Sequence, residues 1–134
     1  MDYLAIAAAG FLGAAARAAV GNVIMVWLPM PFPVGTLVPN LLGCFLLSLF
    51  MNLTLERLKI EPRLRLAVGT GFLGAYTTFS TFAVESVYLI ETRLVVQAVA
   101  YIVVTPLGCL LAAWLGLLVS RMAGAGKNRM NSEE

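Results

Sequence analysis

The sequence predicts an all-α integral membrane protein with four transmembrane helices. Of its 134 residues, 60% are apolar and 12% are charged, whereas a soluble domain carries about 25% charged residues. No Asp, Glu, Lys or Arg occurs in residues 18–55, 66–84 or 94–120. Uncharged apolar stretches of about 18 residues or more are typical of membrane-spanning helices. We therefore expect a multi-pass protein of the cell (inner or plasma) membrane, embedded in the lipid bilayer.

The first two predicted helices are separated by a proline-rich turn. The first helix covers residues 3–27 and has no basic segment before it, so it is expected to be retained and not cleaved as a signal peptide. It ends ahead of the Pro29–Pro33 run, because proline cannot continue a helix. The second helix covers residues 35–56 and ends in a charged connection.

The third predicted helix is longer than a bilayer requires. It covers residues 62–91, whereas about 20 residues are enough to cross the membrane. The fourth helix covers residues 94–121. We expect residues 1–121 to form one four-helix transmembrane domain. Residues 122–134 are expected to form a polar, disordered tail, because they have almost nothing to bury.

Basic residues are distributed unevenly between the two predicted sides of the membrane. The side of the two termini carries Arg57, Lys59, Arg63, Arg65, Arg121, Lys127 and Arg129. The opposite side carries Arg93 alone. The positive-inside rule therefore predicts that both termini lie in the cytoplasm. The helices are also rich in glycine and alanine, which allow close helix packing in lipid and favour a tightly associated oligomer.

The composition excludes several classes of function. Without any histidine, the chain has neither a His-dependent catalytic triad nor an imidazole metal site. Cys44 and Cys109 lie in separate apolar stretches, with no metal-ligand or disulfide-framework spacing. The net charge is only +2 and the basic residues lie beside helix ends, so no nucleic acid partner is expected. Nothing in the sequence indicates an enzyme.

Residues 69–82 are the clearest polar cluster within a predicted membrane span. They combine three glycines with the Thr-Thr-x-Ser-Thr run of residues 77–81, and both features disfavour a regular helix. Irregular backbone at membrane depth is tolerated only where it is buried in protein or lines a cavity. We interpret the segment as a broken helix at a transport site, whose carbonyls can hold a cation and whose hydroxyls can donate to an anion. The alternative is a kinked helix whose threonines bond their own backbone.

Two phenylalanines belong to the same segment. Phe79 and Phe82 are three residues apart and therefore share a helix face. A phenyl ring is electropositive at its edge, so two ring edges together with hydroxyl donors are able to replace part of the hydration shell of an anion. Ordinary packing is the alternative explanation for this spacing.

Five further polar residues of the predicted helices are candidates for a functional role. Asn40 offers two amide donors early in the second helix. Arg17 either has a functional role inside the membrane or extends to the nearer interface. Glu85 either belongs to a proton or ion relay, or pairs with Arg17 or with a hydroxyl of the fourth helix. Tyr101 and Thr105 lie one turn apart on the fourth helix, where packing is again the alternative.

Three motifs resemble the Fluc (CrcB) fluoride channel family. Residues 10–17, Gly-Phe-Leu-Gly-Ala-Ala-Ala-Arg, resemble the family's G-x-x-G-A-x-x-R signature. Residues 35–45 resemble its second-helix signature, and residues 71–82 closely match its third-helix G-F-x-G-x-x-T-T-F-S-T-F motif. The resemblance spans residues 3–121. Three positions depart from the family pattern, namely Ala18, Pro39 and Cys109.

The resemblance implies a fluoride-selective channel that mediates passive fluoride efflux and so provides fluoride resistance. It also implies an antiparallel, dual-topology homodimer with two pores. By similarity, Phe79 and Phe82 form an aromatic box that contacts fluoride, and Asn40 is a donor that lines the pore. The remaining pore residues implied by the resemblance are Arg17, Ser80, Thr81, Glu85, Tyr101 and Thr105.

The resemblance further implies a structural sodium ion at the centre of the dimer. Backbone carbonyls of Gly74 and Thr77 from both subunits would hold this ion. A sodium ion carries a fixed positive charge into a low-dielectric region, where it attracts anions strongly.

Two other classes of function remain open from the residues themselves. One is a small four-helix, proton-coupled exporter of cations or drugs that relies on Glu85. Such exporters depend on a carboxylate in the first helix, whereas this first helix contains Arg17 at membrane depth. The other is a membrane assembly factor, which would have no need for the glycine- and threonine-rich segment 69–82.

Overall fold

The computed structural model describes residues 2–56, 58 and 60–130, and these residues form helices and connecting turns without any strand. Helix α1 covers Asp2–Trp27 and helix α2 covers Val34–Glu56, each within one residue of the predicted bounds. The all-α prediction is therefore confirmed for the described residues. Arg57 and Lys59, which were counted among the basic residues on the predicted cytoplasmic side, lie outside the described residues.

The region predicted as the third helix consists of several short helical elements. These are α3 (Pro62–Leu66), a π-helical segment (Ala67–Leu73), α4 (Gly74–Tyr76) and α5 (Ser80–Glu91). Between α4 and α5, Thr77 has an extended backbone with φ −89° and ψ 153°. An extended residue cannot continue the helical hydrogen-bond pattern, so α5 begins a new helix.

The fourth helical region is longer than predicted. Helix α6 covers Val95–Met130 and so continues past residue 121. Pro106 is the last proline of the chain, so no later residue lacks the backbone N–H that a helix requires. Residues 131–134 of the predicted tail lie outside the described residues. The division of the chain at residues 121 and 122 stays a prediction.

Three of the described helices are long and apolar enough to cross a membrane. They are Tyr3–Trp27, Val34–Glu56 and Val95–Ala123. Large apolar side chains on these helices face outward, among them Phe11 and Trp27, which are 74% and 80% exposed. Such surfaces suit contact with lipid or with another apolar helix.

Close helix packing depends on glycines where α1 meets the π-helical segment. A Cβ atom added to Gly13 would lie 2.1 Å from the carbonyl oxygen of Phe72. A Cβ atom added to Gly71 would lie 2.9 Å from the carbonyl oxygen of Ile6. Both distances are shorter than van der Waals contact, so any larger residue would push the two backbones apart. Helix α2 packs along α6.

Helix α5 ends in a left-handed turn at Arg93, which has a φ of 62°. The Leu94 amide donates to the Leu89 carbonyl at 2.9 Å, and the Arg93 amide donates to the Ile90 carbonyl at 3.0 Å. Leu94 also packs against Leu89 and Tyr101 in the core. These bonds and this contact form a Schellman motif, in which glycine usually occupies the left-handed position.

Replacing Arg93 by glycine is expected to stabilise the fold by about 1 kcal/mol, because a side chain with a Cβ atom costs roughly 1–2 kcal/mol in this conformation. Thermal unfolding in detergent would measure the gain. Arg93→Ala is the matched control, since it removes the charge and keeps the Cβ atom. Equal stabilisation by Arg93→Ala would contradict the backbone explanation.

Candidate functional site

Asn40 on α2 holds the interruption between α4 and α5. Its Oδ1 accepts a hydrogen bond from the Thr78 amide at 2.7 Å, and its Nδ2 donates to the Thr78 carbonyl at 2.9 Å. Asn40 is only 5% exposed. Buried backbone groups require partners, and Thr78 lies where no regular helix supplies them. One side chain of α2 therefore binds both backbone polar groups of Thr78.

A cavity of about 240 Å³, which we name the phenyl cavity, lies beside this contact. It is lined by Asn40, Cys44, Thr77, Thr78, Phe79, Phe82, Thr105, Pro106 and Cys109. None of these side chains is charged. The rings of Phe79 and Phe82 have centroids 5.5 Å apart and planes inclined at 47°. Phe79 is 79% exposed, whereas Phe82 is partly buried.

Thr105 is an unusual member of the phenyl cavity. It is only 5% exposed, and its hydroxyl oxygen is buried without a hydrogen-bond partner among the described residues. A buried hydroxyl without a partner costs free energy. A ligand in the cavity would supply the missing partner.

A second cavity of about 360 Å³, the Arg17 cavity, lies between α1, the proline-rich turn and the start of α2 and α5. Its polar lining includes Arg17, Asn22, Thr36, Thr81 and Glu85. Arg17 Nη1 donates to Thr81 Oγ1 at 3.3 Å, whereas Arg17 Nε is buried without a partner in the described part of the chain. The guanidinium group therefore has donor capacity left for a ligand.

Glu85 accepts hydrogen bonds through both carboxylate oxygens. Thr36 Oγ1 donates to Oε1 at 2.7 Å, and the Tyr101 hydroxyl donates to Oε2 at 2.7 Å. Of the partners considered for Glu85 in the sequence analysis, the structure brings it to a hydroxyl of the fourth helical region. Tyr101 is fully buried, and its ring lies 5.1 Å from that of Phe82.

Hydroxyl groups link the two cavities. Thr78 Oγ1 donates to Thr81 Oγ1 at 3.1 Å and lies 3.2 Å from Ser80 Oγ. Thr81 also accepts from Arg17 in the Arg17 cavity, and Thr78 lines the phenyl cavity. Ser80 is exposed and lines neither of the two cavities. The hydrogen-bonded hydroxyls of Thr78 and Thr81 therefore connect the two cavities.

Gly74 and Thr77 lie directly before the interruption. The Thr77 hydroxyl donates to the Gly74 carbonyl at 3.2 Å. Gly74 is exposed and Thr77 is partly buried. Carbonyls in the last turn of a helix have no further helical N–H partner, so this end of α4 presents backbone oxygens that a hard cation accepts as ligands.

Two residues that make central contacts in the structure are absent from the site residues predicted from the sequence. Thr78 is the residue that Asn40 binds, and Thr36 is a donor to Glu85. Thr36 lies four residues before Asn40 on one face of α2. The spacing of these two polar residues in an apolar helix was the sequence feature that could have identified Thr36 as a site residue. Thr78 was named only as part of the polar run 77–81.

Comparison with known proteins identifies the family. The family model described as "CrcB-like protein, Camphor Resistance (CrcB)" matches residues 4–117. "Fluoride-specific ion channel FluC 2" of Geobacillus kaustophilus is 45% identical over 116 residues, which cover 87% of this chain and 90% of the relative. "Fluoride-specific ion channel FluC 1" of Moorella thermoacetica is 38% identical over 127 residues, which cover 95% of this chain and 91% of the relative.

A longer relative occurs in Methylococcus capsulatus. This protein, named "Fluoride-specific ion channel FluC", is 38% identical over 127 residues, which cover 95% of this chain and 56% of the relative. All three relatives carry the name of an ion channel, and the chain is not an enzyme. Its long apolar helices make it a multi-pass membrane protein. Because the family model covers most of the sequence, the chain belongs to the CrcB family.

Proposed function

We propose that the protein is a fluoride-selective channel that mediates passive fluoride efflux and provides fluoride resistance. The observation that carries the proposal is the phenyl cavity, where the Phe79 and Phe82 rings lie together with Asn40 and Thr105. Ring edges and uncharged donors stabilise an anion without the strong attraction of a fixed cationic side chain. Conduction requires this balance, because an ion must enter a site and also leave it.

In this proposal the two cavities form successive parts of one pathway. Arg17, with one unsatisfied N–H group, attracts fluoride at the mouth. Ser80 and Thr81 carry the donors that follow. Glu85 and Tyr101 form the wall beside Phe82, and Thr105 supplies a hydroxyl at the far side of the phenyl cavity.

The working unit is an antiparallel, dual-topology homodimer in the inner or plasma membrane. Region 62–91 then crosses the bilayer as a third span that is broken at membrane depth, between α4 and α5. The exposure of Phe79 supports the dimer, because this ring is 79% exposed in the single chain although it lines the phenyl cavity. A second subunit would cover this ring and complete the cavity wall.

A sodium ion at the dimer centre is part of the proposal. The residues present fit such an ion, because the end of α4 offers backbone oxygens of Gly74 and Thr77, and hard monovalent cations prefer oxygen ligands. Exposed Gly74 allows a second subunit to approach this point. When bound, the ion supplies a fixed positive charge near the pathway.

Ion release from liposomes tests the proposed function. Purified protein is reconstituted with internal fluoride, and release is followed with a fluoride electrode under a potassium–valinomycin clamp, with chloride in parallel. We expect rapid fluoride release and negligible chloride release. An absence of fluoride release from verified, folded dimer would overturn the proposal.

The same assay distinguishes the exporter that relies on Glu85. A channel releases fluoride without any imposed proton gradient, whereas a proton-coupled exporter of cations or drugs would not release it. Transport of a cationic drug that requires a proton gradient and is lost in Glu85→Gln, with no fluoride release by the parent protein, would favour the exporter. The relatives named as fluoride-specific ion channels support the channel instead.

A further inference from the structure

Helix α2 presents one buried face to region 62–91. Thr36, Asn40 and Gly43 are buried on this face, and their spacing of four and then three residues places them one helical turn apart. Thr36 and Asn40 have hydrogen-bond partners in region 62–91. Gly43 has no side chain, so its contact with the same region is purely steric.

Gly43 lies directly against Thr77 and Tyr76. A Cβ atom added to Gly43 would overlap the Thr77 Cγ2 methyl group and would lie 3.2 Å from Tyr76 Cδ1. The Thr77 side chain is not free to rotate away, because its hydroxyl donates to the Gly74 carbonyl at 3.2 Å. Any residue larger than glycine at position 43 would therefore push Thr77 away from α2.

The Gly74 carbonyl is available because the helix stops at this point. In a continuing helix, the Thr78 amide would donate to the carbonyl four residues earlier, which is that of Gly74. It donates instead to Asn40 Oδ1 at 2.7 Å. A carbonyl oxygen has two lone pairs, and the Thr77 hydroxyl uses one of them. Asn40 thus withdraws the helical donor from this oxygen, while Gly43 sets the position of Thr77 beside it.

We propose that Gly43 is a positioning residue for the sodium site, because it sets the position of the Thr77 backbone. The inference rests on the proposed function, which assigns the Thr77 carbonyl to the ion. Ligand distances in a metal site vary by only about 0.2 Å. An added methyl group at Gly43 requires a larger displacement, because carbon atoms in contact lie about 3.5–4.0 Å apart. Gly43 lines neither cavity and acts through Thr77.

The sodium dependence of thermal unfolding tests this role without measuring fluoride conduction. A ligand that binds only the folded protein raises its unfolding temperature as the ligand concentration rises. Detergent-purified protein is titrated with NaCl, and N-methyl-D-glucamine chloride keeps the ionic strength constant. We expect saturable stabilisation of the parent protein. Gly43→Ala should need about tenfold more sodium for half of the stabilisation, which corresponds to about 1.4 kcal/mol and is typical of overpacking.

Gly108→Ala is the matched control for adding a methyl group to a packed helix interface. A Cβ atom added to Gly108 on α6 would lie 2.8 Å from Leu41 Cδ2, which is the end of a flexible side chain and not part of region 62–91. The unfolding temperature without sodium reports the structural cost of this change. Its sodium requirement should stay within about twofold of the parent value. An equal rise for Gly43→Ala and Gly108→Ala would overturn the positioning role.

Thr77→Ser decides whether Gly43 acts through the Thr77 methyl group. Serine keeps a hydroxyl for the Gly74 carbonyl and lacks the methyl group that an alanine at position 43 would overlap. The double variant G43A/T77S is compared with T77S, so that any effect of the serine itself cancels. Adding Gly43→Ala to T77S should change the sodium requirement by less than about threefold. A tenfold change in both backgrounds would refute the contact.

Loss of folding and loss of sodium binding also have defined meanings. If Gly43→Ala yields no folded protein, G43A/T77S should still fold, because the overlap is removed, and an unfolded double variant would overturn the inference. A parent protein whose unfolding temperature does not respond to sodium would overturn it too. Fluoride release is measured separately. Release without sodium stabilisation contradicts the positioning role alone, and sodium stabilisation without release contradicts the proposed function alone.

Discussion

Phe79→Ile and Phe82→Ile are each expected to slow fluoride release about two- to twelvefold. Isoleucine keeps an apolar side chain of moderate size but has no electropositive ring edge. The ring geometry of an aromatic pair contributes about 0.5–1.5 kcal/mol beyond the buried area, and 1.36 kcal/mol in a barrier changes a rate tenfold. Release from liposomes, normalised to the amount of reconstituted dimer, measures the effect.

Phe11→Ile is the matched control for these two variants. Phe11 lies on α1 with 74% of its surface exposed, and it lines neither cavity. Its replacement should leave fluoride release within about twofold, corresponding to a barrier change of less than roughly 0.4 kcal/mol. Parent-like release from both Phe79→Ile and Phe82→Ile would show that the rings do not stabilise the conducted ion.

Asn40→Ala is expected to lower the stability of the fold more than any other single change considered above. It removes both hydrogen bonds to Thr78 and leaves a backbone N–H and a carbonyl without these partners. Each unsatisfied buried group costs about 1–3 kcal/mol. The two together predict a loss of about 2–6 kcal/mol and a melting temperature lower by roughly 10 °C or more. Thermal unfolding in detergent measures this drop in melting temperature.

Asn52→Ala is the control for loss of an amide on the same helix. The Asn52 amide donates to the Ser48 carbonyl one turn earlier and has no contact with the interruption between α4 and α5. Its loss should cost about 0.5–1.5 kcal/mol. If both variants unfold at the same temperature, Asn40 does not have the special role assigned to it.

The long helices could be predicted from the sequence for a simple physical reason. Charged residues are costly in hydrocarbon, so their absence from residues 18–55 and 94–120 identifies apolar helices directly. Proline marks the end of α1, because it cannot continue the helix. The polar run 77–81 likewise indicated irregular backbone, and the structure has an extended Thr77 at that point.

The end of α6 was harder to predict from the sequence. Polarity suggested that helical structure stops near residue 121, yet α6 continues to Met130. Polar composition alone does not end a helix when neither proline nor a competing turn interrupts it. Helix boundaries are therefore harder to obtain from composition than the existence of the helices.

By itself, the sequence determined the membrane class, the all-α fold, the family motifs and the pairing of Phe79 with Phe82 along the chain. Only the tertiary structure decided which residues from different helices meet: Asn40 with Thr78, and Glu85 with Thr36 and Tyr101. In lipid, the outer face of a helix is as apolar as its packed face. No amphipathic stripe then reveals how each helix is rotated, and contacts between helices depend on that rotation.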